Sequence, residues 1–171
     1  MESRLSFPDP DAEAAPLAAF RDRLRQAASA TGLLQAWCEA RGIGEGSVRA
    51  LRRHGPAEPL PAEAAHMLLP PGAPHHVRHR RVTLLRGAAG LSDCDIWWLP
   101  SRLTPEMQAA LDSTDRPFGT VVEALRPTRR VLAETVLPPG GPHGLEVTAL
   151  LMAGAGPIAL ARESYRRILT G

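Results

Sequence analysis

Lysine is absent from this chain, since all 20 of its Lys and Arg positions are arginines. Enzymes that anchor pyridoxal phosphate, or that form a Schiff base with a carbonyl substrate, use a lysine amine as nucleophile. The nucleotide-binding P-loop also needs a lysine at a fixed place in its glycine-rich segment. The sequence therefore excludes Schiff-base chemistry and a P-loop within this chain.

Cysteine is scarce, with only Cys38 and Cys94, which lie far apart and form no Cys-x-x-Cys motif. The sequence therefore predicts neither a disulfide framework nor a zinc site. No apolar run approaches the roughly 18 residues of a membrane span. Asp9, Asp11 and Glu13 interrupt the N-terminal region where a signal peptide would have its apolar core. We therefore expect a cytoplasmic protein without a membrane span.

Size and composition favour one globular domain. A chain of 171 residues with 44% hydrophobic and 22% charged residues can build a core, which argues against wholesale disorder. Aromatic residues make up only 4%, so aliphatic side chains must fill that core. The net charge of +2 is too small for a general electrostatic nucleic-acid binder, and we expect no nucleic-acid partner.

Apolar periodicity predicts helices first and strands later. Short turns such as 138–142 and 154–156 join the later strands, so the order favours an α+β fold with an antiparallel sheet. We expect a flexible leader over 1–13 and a single domain over 14–171. The predicted helices begin at Pro16 and at Thr31 and cover 63–68, 104–111 and 117–125, and the predicted strands are 47–53, 77–86, 94–99, 129–137, 145–153 and 158–165.

The densest polar cluster runs from His75 to Arg81. A metal site formed by His75 and His79 is one interpretation, but four residues of a strand span about 13 Å, too far to share one ion. A nucleic-acid surface would need basic residues elsewhere and exposed aromatics. A solvated or ion-paired strand end is the interpretation without a ligand.

Strand periodicity gives this cluster a further interpretation. Arg78 and Arg80 share one face with Val82 and Leu84, whose apolar side chains indicate that this face turns inward. An arginine at that rim is well shaped to bind a carboxylate through two hydrogen bonds.

Glu163 is the second candidate, because it follows directly on the apolar run of residues 158–161. A carboxylate there reaches solvent, pairs with an arginine or accepts a hydrogen bond from a ligand hydroxyl. The sequence has no Gly-x-Gly-x-x-Gly after a strand, no Gly-x-Ser-x-Gly and no His-Glu-x-x-His, and no carboxylate pair has glycosidase spacing.

Placed in order, several stretches resemble the chorismate lyase (chorismate pyruvate-lyase) family, whose fold is shared by the ligand-binding domains of GntR-type regulators. The similarity covers most of residues 30–165. The stretches that carry it are Thr31–Trp37 followed by Ser47–Gly55, Arg80–Gly87, Leu91–Pro100 with Leu103, Arg116–Gly119 and Pro157–Glu163.

This resemblance implies a six-stranded antiparallel sheet with helices packed on one side and a small internal ligand site without metal or cofactor. The family converts chorismate to 4-hydroxybenzoate and pyruvate for ubiquinone biosynthesis. On this resemblance Arg80 binds the ring carboxylate and Glu163 the ring hydroxyl, and these two are the expected catalytic residues. The other expected ligand-binding residues are Leu33 on a flap, Arg78 nearer the rim, and Phe118 and Gly119 near a backbone N–H.

Departures from the family pattern leave two functions open. The family often has a second arginine where this chain has Ile96, and a glutamate where it has Arg81, while Trp97 and Trp98 are bulkier than usual. The first function is a cofactor-independent carbon–oxygen lyase acting on chorismate. The alternative is a non-catalytic protein that binds an aromatic or other small carboxylate. Either would act as a monomer or weak dimer.

Overall fold

A computed structural model of the protein describes residues 10–72, 76–154 and 156–171, with residues 10–13 described by their backbone only. The chain folds into five α-helices, six strands and three short 3₁₀ turns within these ranges. The elements are α1 Pro10–Gln26, α2 Ala30–Arg41, β1 Val48–Arg52, α3 Ala62–Leu68, β2 Arg78–Arg86, β3 Ala89–Trp98, α4 Pro105–Ser113, α5 Phe118–Val121, β4 Thr128–Val136, β5 His143–Ala153 and β6 Gly156–Arg166, with 3₁₀ turns at Pro100–Arg102, Glu123–Leu125 and Arg167–Leu169.

The six strands form one antiparallel sheet in the order β1-β2-β3-β6-β5-β4. Tight turns join β2 to β3 and β5 to β6, and β3 pairs with β6 at the centre of the sheet. The single α+β domain with a six-stranded antiparallel sheet is therefore confirmed.

The helix starts differ from the sequence predictions, and local chemistry explains how. Helix α1 begins at Pro10, so Pro16 lies inside it rather than in its first turn. The N-cap of α2 is Ser29 rather than Thr31, because the Ser29 hydroxyl accepts a hydrogen bond from the N–H of Gly32. Helix α2 ends just before Gly42, whose left-handed φ of 65° is the conformation that glycine adopts after a helix. The leader predicted for 1–13 overlaps α1, and residues 1–9 lie outside the described residues.

Helices α1, α2, α4 and α5 pack on one face of the sheet, which we call the inner face. Phe20 of α1 and Trp37 of α2 belong to the same core cluster as Tyr165, and Phe118 of α5 packs against Trp98. Helix α3 instead covers part of the opposite face. The sequence predicted helices on one side of the sheet. Helix α3 departs from that prediction, because its Ala64 and Leu68 pack with Trp97 on the opposite face.

Candidate functional site

Arg80 projects from β2 onto the inner face, and its residue is only 5% exposed. Two of its guanidinium nitrogens donate to backbone oxygens, Nη1 to Leu111 and Nη2 to Arg116, each at 3.2 Å. Its Nε has no hydrogen-bond partner in the described part of the chain. No described carboxylate lies within ion-pair distance, so Arg80 is a buried positive charge without a counter-ion among the described residues.

A cavity of about 60 Å³ lies beside Arg80. This volume is far below the roughly 300–1,000 Å³ typical of drug-sized ligand sites, so its occupant must be small. Toward the α1–α2 turn the cavity meets a wider groove of about 1120 Å³. The apolar part of its wall is formed by Val82, Leu84, Ile96, Phe118, Leu151 and Ala161.

Glu163 lines the same cavity from β6 and is 8% exposed. Its strand lies two strand spacings from β2, about 10 Å across the sheet. Arg129 from β4 forms a buried ion pair with Glu163 Oε2, and the Tyr165 hydroxyl donates to that oxygen at 2.8 Å. No described side chain donates to Oε1 of Glu163. The structure thus brings together the two residues that sequence reasoning singled out.

Burial and charge fix the protonation of the groups around the cavity. Burial raises the pKa of the Cys94 thiol well above its usual value, and the Glu163 charge raises it further. Burial likewise raises the pKa of the Tyr165 hydroxyl. For Arg129, burial opposes the charged form, but the charge of Glu163 outweighs it and the pKa is raised. Burial and the nearby charge of Arg52 lower the pKa of Arg80, which shows that its surroundings supply too little negative charge.

Arg78 lies toward the rim, on the same face as Arg80, but it does not line this cavity. Its guanidinium donates to both oxygens of Asp112, at 3.1 and 2.6 Å, and lies over the Trp98 ring. It lines a neighbouring cleft of about 210 Å³, which Arg52 and Arg80 also line, so Arg80 lies between the cleft and the cavity. The prediction that Arg78 contacts the ligand directly is untested. The position of Arg78 does not support it, because the guanidinium is already paired with Asp112.

Phe118 and Gly119 line the cavity, as expected from the resemblance. A side chain at Gly119 would crowd α2, since a Cβ there would lie 3.2 Å from the hydroxyls of Ser29 and Thr31. Leu33 does not reach the cavity. It is half-buried and packs against the core, while residues 28–31, just before it, form the wall instead.

Sequence reasoning missed Arg129, Tyr165 and Cys94, although each has a signal in the sequence. Arg129 and Arg130 are adjacent on a strand, so one of them must face inward. Tyr165 follows Glu163 by two residues and therefore shares its face, and Cys94 pairs with Glu163 across β3 and β6. These three positions surround the carboxylate that was predicted.

The described residues hold no group of three or more His, Cys, Asp or Glu side chains arranged for a metal ion. His79 contacts Asp95 through Nε2 at 2.8 Å, while His75 lies outside the described ranges. None of the helices in the described part of the chain is both long and apolar enough to cross a membrane.

The chain is similar to one curated protein, the uncharacterized protein y4mC of Sinorhizobium fredii. The two are 35% identical over 133 residues, which cover 77% of this chain and 56% of y4mC. The chain therefore spans little more than half the length of the curated relative that it matches. No protein-family model matches the chain.

Solved structures show a similar fold. PhnF from Mycobacterium smegmatis superposes with a TM-score of 0.55 at 12% identity, over 85% of this chain and 66% of PhnF. The effector domain of PhnF, solved alone, gives a TM-score of 0.52 at 13% identity, over 81% of this chain and 88% of that domain. The fold is therefore similar to that of the effector domain of PhnF.

Proposed function

We propose that this domain binds a small organic carboxylate in the cavity beside Arg80. The observation that carries this proposal is the buried guanidinium of Arg80, which has an unpartnered Nε and no described carboxylate as partner. A buried charge is costly unless it is paired and hydrogen-bonded. A ligand carboxylate would supply both the missing charge and the missing acceptor, through the charge-assisted hydrogen bonds that a guanidinium forms best.

The walls of the cavity restrict the rest of the ligand. Its apolar side chains, including Ile96 and Phe118, suit a hydrocarbon body. Because about 60 Å³ is less than the roughly 150 Å³ of a cavity that holds benzene, an aromatic ring would extend toward the adjoining groove. Ring carboxylates such as 4-hydroxybenzoate are therefore the first compounds to test. The likeness to the effector domain of a regulator supports a sensing or binding role without a reaction.

The binding proposal is tested by titration calorimetry with benzoate and 4-hydroxybenzoate. Arg80→Met should weaken binding by about 2–4 kcal/mol, roughly 30- to 1,000-fold, the range for losing one partner of a buried charged pair. Arg80→Lys should restore binding only in part, because the planar fork is lost. Arg78→Met is the matched control, since Arg78 lies on the same strand but is paired with Asp112. Equal affinity in the Arg80→Met variant and the native protein would refute the proposal.

A chorismate lyase reaction is the second candidate, and one observation favours it: Arg80 and Glu163 line one cavity. On the resemblance, they would hold the ring carboxylate and the ring hydroxyl of chorismate without a cofactor. Purified protein should then release 4-hydroxybenzoate and pyruvate in equal amounts. Glu163→Gln should slow this turnover by about 100-fold or more. Absence of turnover above the uncatalysed rate would leave the binding role alone.

The remaining expectations stay predictions of the same proposal. The domain would act in the reducing cytoplasm, where its two free thiols, Cys38 and Cys94, persist. It would act as a monomer or weak dimer. Sedimentation of the purified protein at several concentrations tests the second expectation.

A further inference from the structure

Among the described residues, the charged groups that line the cavity sum to one positive charge. Arg80 and Arg129 each contribute one positive charge, and Glu163 contributes one negative charge. Cys94, which lines the cavity, and Tyr165, which contacts Glu163, are held as neutral groups by burial. Outside the cavity the Arg78–Asp112 pair is neutral, and the exposed Arg52 is screened by solvent. One negative charge on a ligand therefore neutralises the site, and two, as on chorismate, would leave a net negative charge buried. The inference below therefore extends the binding role and counts against the lyase candidate.

Arg129 presents the cavity's second unsatisfied donor. Its side chain is only 2% exposed, and its Nη2 is engaged by Glu163. Its Nη1 has no hydrogen-bond partner in the described part of the chain. A buried donor without an acceptor is costly, so a ligand atom that accepts from it should bind more tightly.

The two ends of the cavity, at Arg80 and at Arg129 with Glu163, therefore suit different chemical groups of a ligand. Arg80 lacks a counter-ion and suits the carboxylate. At the other end, Arg129 Nη1 needs an acceptor, and Glu163 Oε1 can accept from a donor. A neutral hydroxyl does both, since its oxygen accepts while its proton is donated.

We propose that the cavity selects monoanionic carboxylates whose far end carries a neutral oxygen acceptor, and that Arg129 is the residue that recognises this oxygen. This inference rests on the proposed carboxylate-binding function. It identifies the ligand class by charge and by one hydrogen-bonding group, and it gives Arg129 a role in specificity beyond holding Glu163.

The experiment uses three acids that differ in one para substituent: 4-hydroxybenzoate, 4-methylbenzoate and benzene-1,4-dicarboxylate. The first two have nearly the same shape, and the third carries a second charge. Calorimetric titration at neutral pH should show 4-hydroxybenzoate binding at least about tenfold more tightly than 4-methylbenzoate, since a hydrogen bond to a charged group is worth about 1.5–3 kcal/mol. The dicarboxylate should bind at least about tenfold more weakly than 4-methylbenzoate.

Two variants separate charge from shape. Glu163→Gln raises the cavity charge by one and leaves Arg129 in place, so the dicarboxylate should gain about tenfold or more relative to 4-methylbenzoate. If size had excluded the dicarboxylate, the gap would stay unchanged, which would overturn the charge argument. The preference for the hydroxyl should survive in Glu163→Gln and disappear in the double variant Glu163→Gln/Arg129→Met. A preference that survives in the double variant would overturn the role of Arg129.

Other outcomes distinguish this inference from the proposed function. If none of the three acids binds, or if Arg80→Met leaves their affinities unchanged, the carboxylate-binding function itself is refuted. If they bind through Arg80 with equal affinities, only the selectivity is refuted. Circular dichroism checks that the variants fold. Should they not fold, the comparison of the three acids on the native protein still decides whether charge and the acceptor oxygen matter.

Discussion

Replacing Arg80 by Met should stabilise the ligand-free protein. Removing a buried ion normally destabilises a fold by about 3–5 kcal/mol when it breaks a pair, because the partner is left uncompensated. Arg80 has no such partner among the described residues, and burial lowers the pKa of Arg80, so its charged form opposes folding. The substitution therefore removes a cost without exposing a second charge.

The hydrogen bonds of Arg80 set the size of the effect. The Leu111 oxygen keeps a donor after the substitution, because Arg52 Nη2 also reaches it at 2.5 Å. The Arg116 oxygen loses its contact with Arg80, at a cost of about 1 kcal/mol. Desolvation of an unpaired ion costs several kcal/mol, and Met fills a similar volume with apolar atoms. We expect the free energy of unfolding to rise by about 1–3 kcal/mol.

Urea unfolding followed by tryptophan fluorescence measures this change without any ligand. Arg129→Met is the control, because it leaves Glu163 buried without its counter-ion and should lower the free energy of unfolding by about 3–5 kcal/mol. A rise in the free energy of unfolding for Arg80→Met together with a fall for Arg129→Met would show that Arg80 serves ligand binding and that Arg129 stabilises the fold. A loss of more than about 2 kcal/mol in Arg80→Met would refute this reasoning, since it would mean that Arg80 is a structural residue.

Three further predictions concern the carboxylates and the cavity floor. Glu163→Gln should lower the free energy of unfolding by about 3 kcal/mol, and adding Arg129→Met should restore most of it, as measured in urea; the absence of any rescue would contradict the ion pair. Although burial opposes its charged form, hydrogen bonds from Arg166, Thr83 and His143 lower the pKa of Asp93 to about 2. Asp93 therefore stabilises the fold above about pH 4 and loses this effect as the pH falls through about 2. The native protein should exceed Asp93→Asn in free energy of unfolding by about 1–2 kcal/mol above about pH 4, and this difference should vanish near about pH 2. A difference independent of pH would refute this. Ala161→Leu should abolish carboxylate binding by filling the cavity, and calorimetry that shows undiminished affinity would place the ligand elsewhere.

Strand alternation explains why Arg80 and Glu163 could be predicted. Val82 and Leu84 mark the buried face of β2, and the period of two residues places Arg80 on it. The apolar run before Glu163 marks β6 as a central strand in the same way. Because both signals are local, the sequence carries them without knowledge of the sheet order.

Arg129 could not be assigned from its own strand, because its role depends on which strands are neighbours. An arginine pair on an edge strand is most often solvated, and only the order β6-β5-β4 brings Arg129 toward Glu163. Of the three possibilities that the sequence left open for Glu163, the structure shows the pairing with an arginine.

The placement of Leu33, Arg78 and α3 also depends on long-range packing. Leu33 turns toward the core because the N-cap of α2 is Ser29 and the helix starts at Ala30, so residues 28–31 form the wall at the cavity. Arg78 shares a face with Arg80, but Asp112 at the end of α4 engages it first. The side of the sheet that α3 covers is set by the path of the chain between β1 and β2. None of these partners is visible in local periodicity.

The carboxylate-binding role is tested most directly by crystal structures of the protein soaked with formate, benzoate and 4-hydroxybenzoate, which increase in size from a bare carboxylate to a substituted ring. The predicted result is a carboxylate within hydrogen-bond distance of Arg80 Nε, with the body of the ligand between Ile96 and Phe118. In the 4-hydroxybenzoate complex the hydroxyl should lie against Arg129 and Glu163. A cavity that holds only water at saturating concentrations of all three acids, or a carboxylate bound away from Arg80, would contradict it.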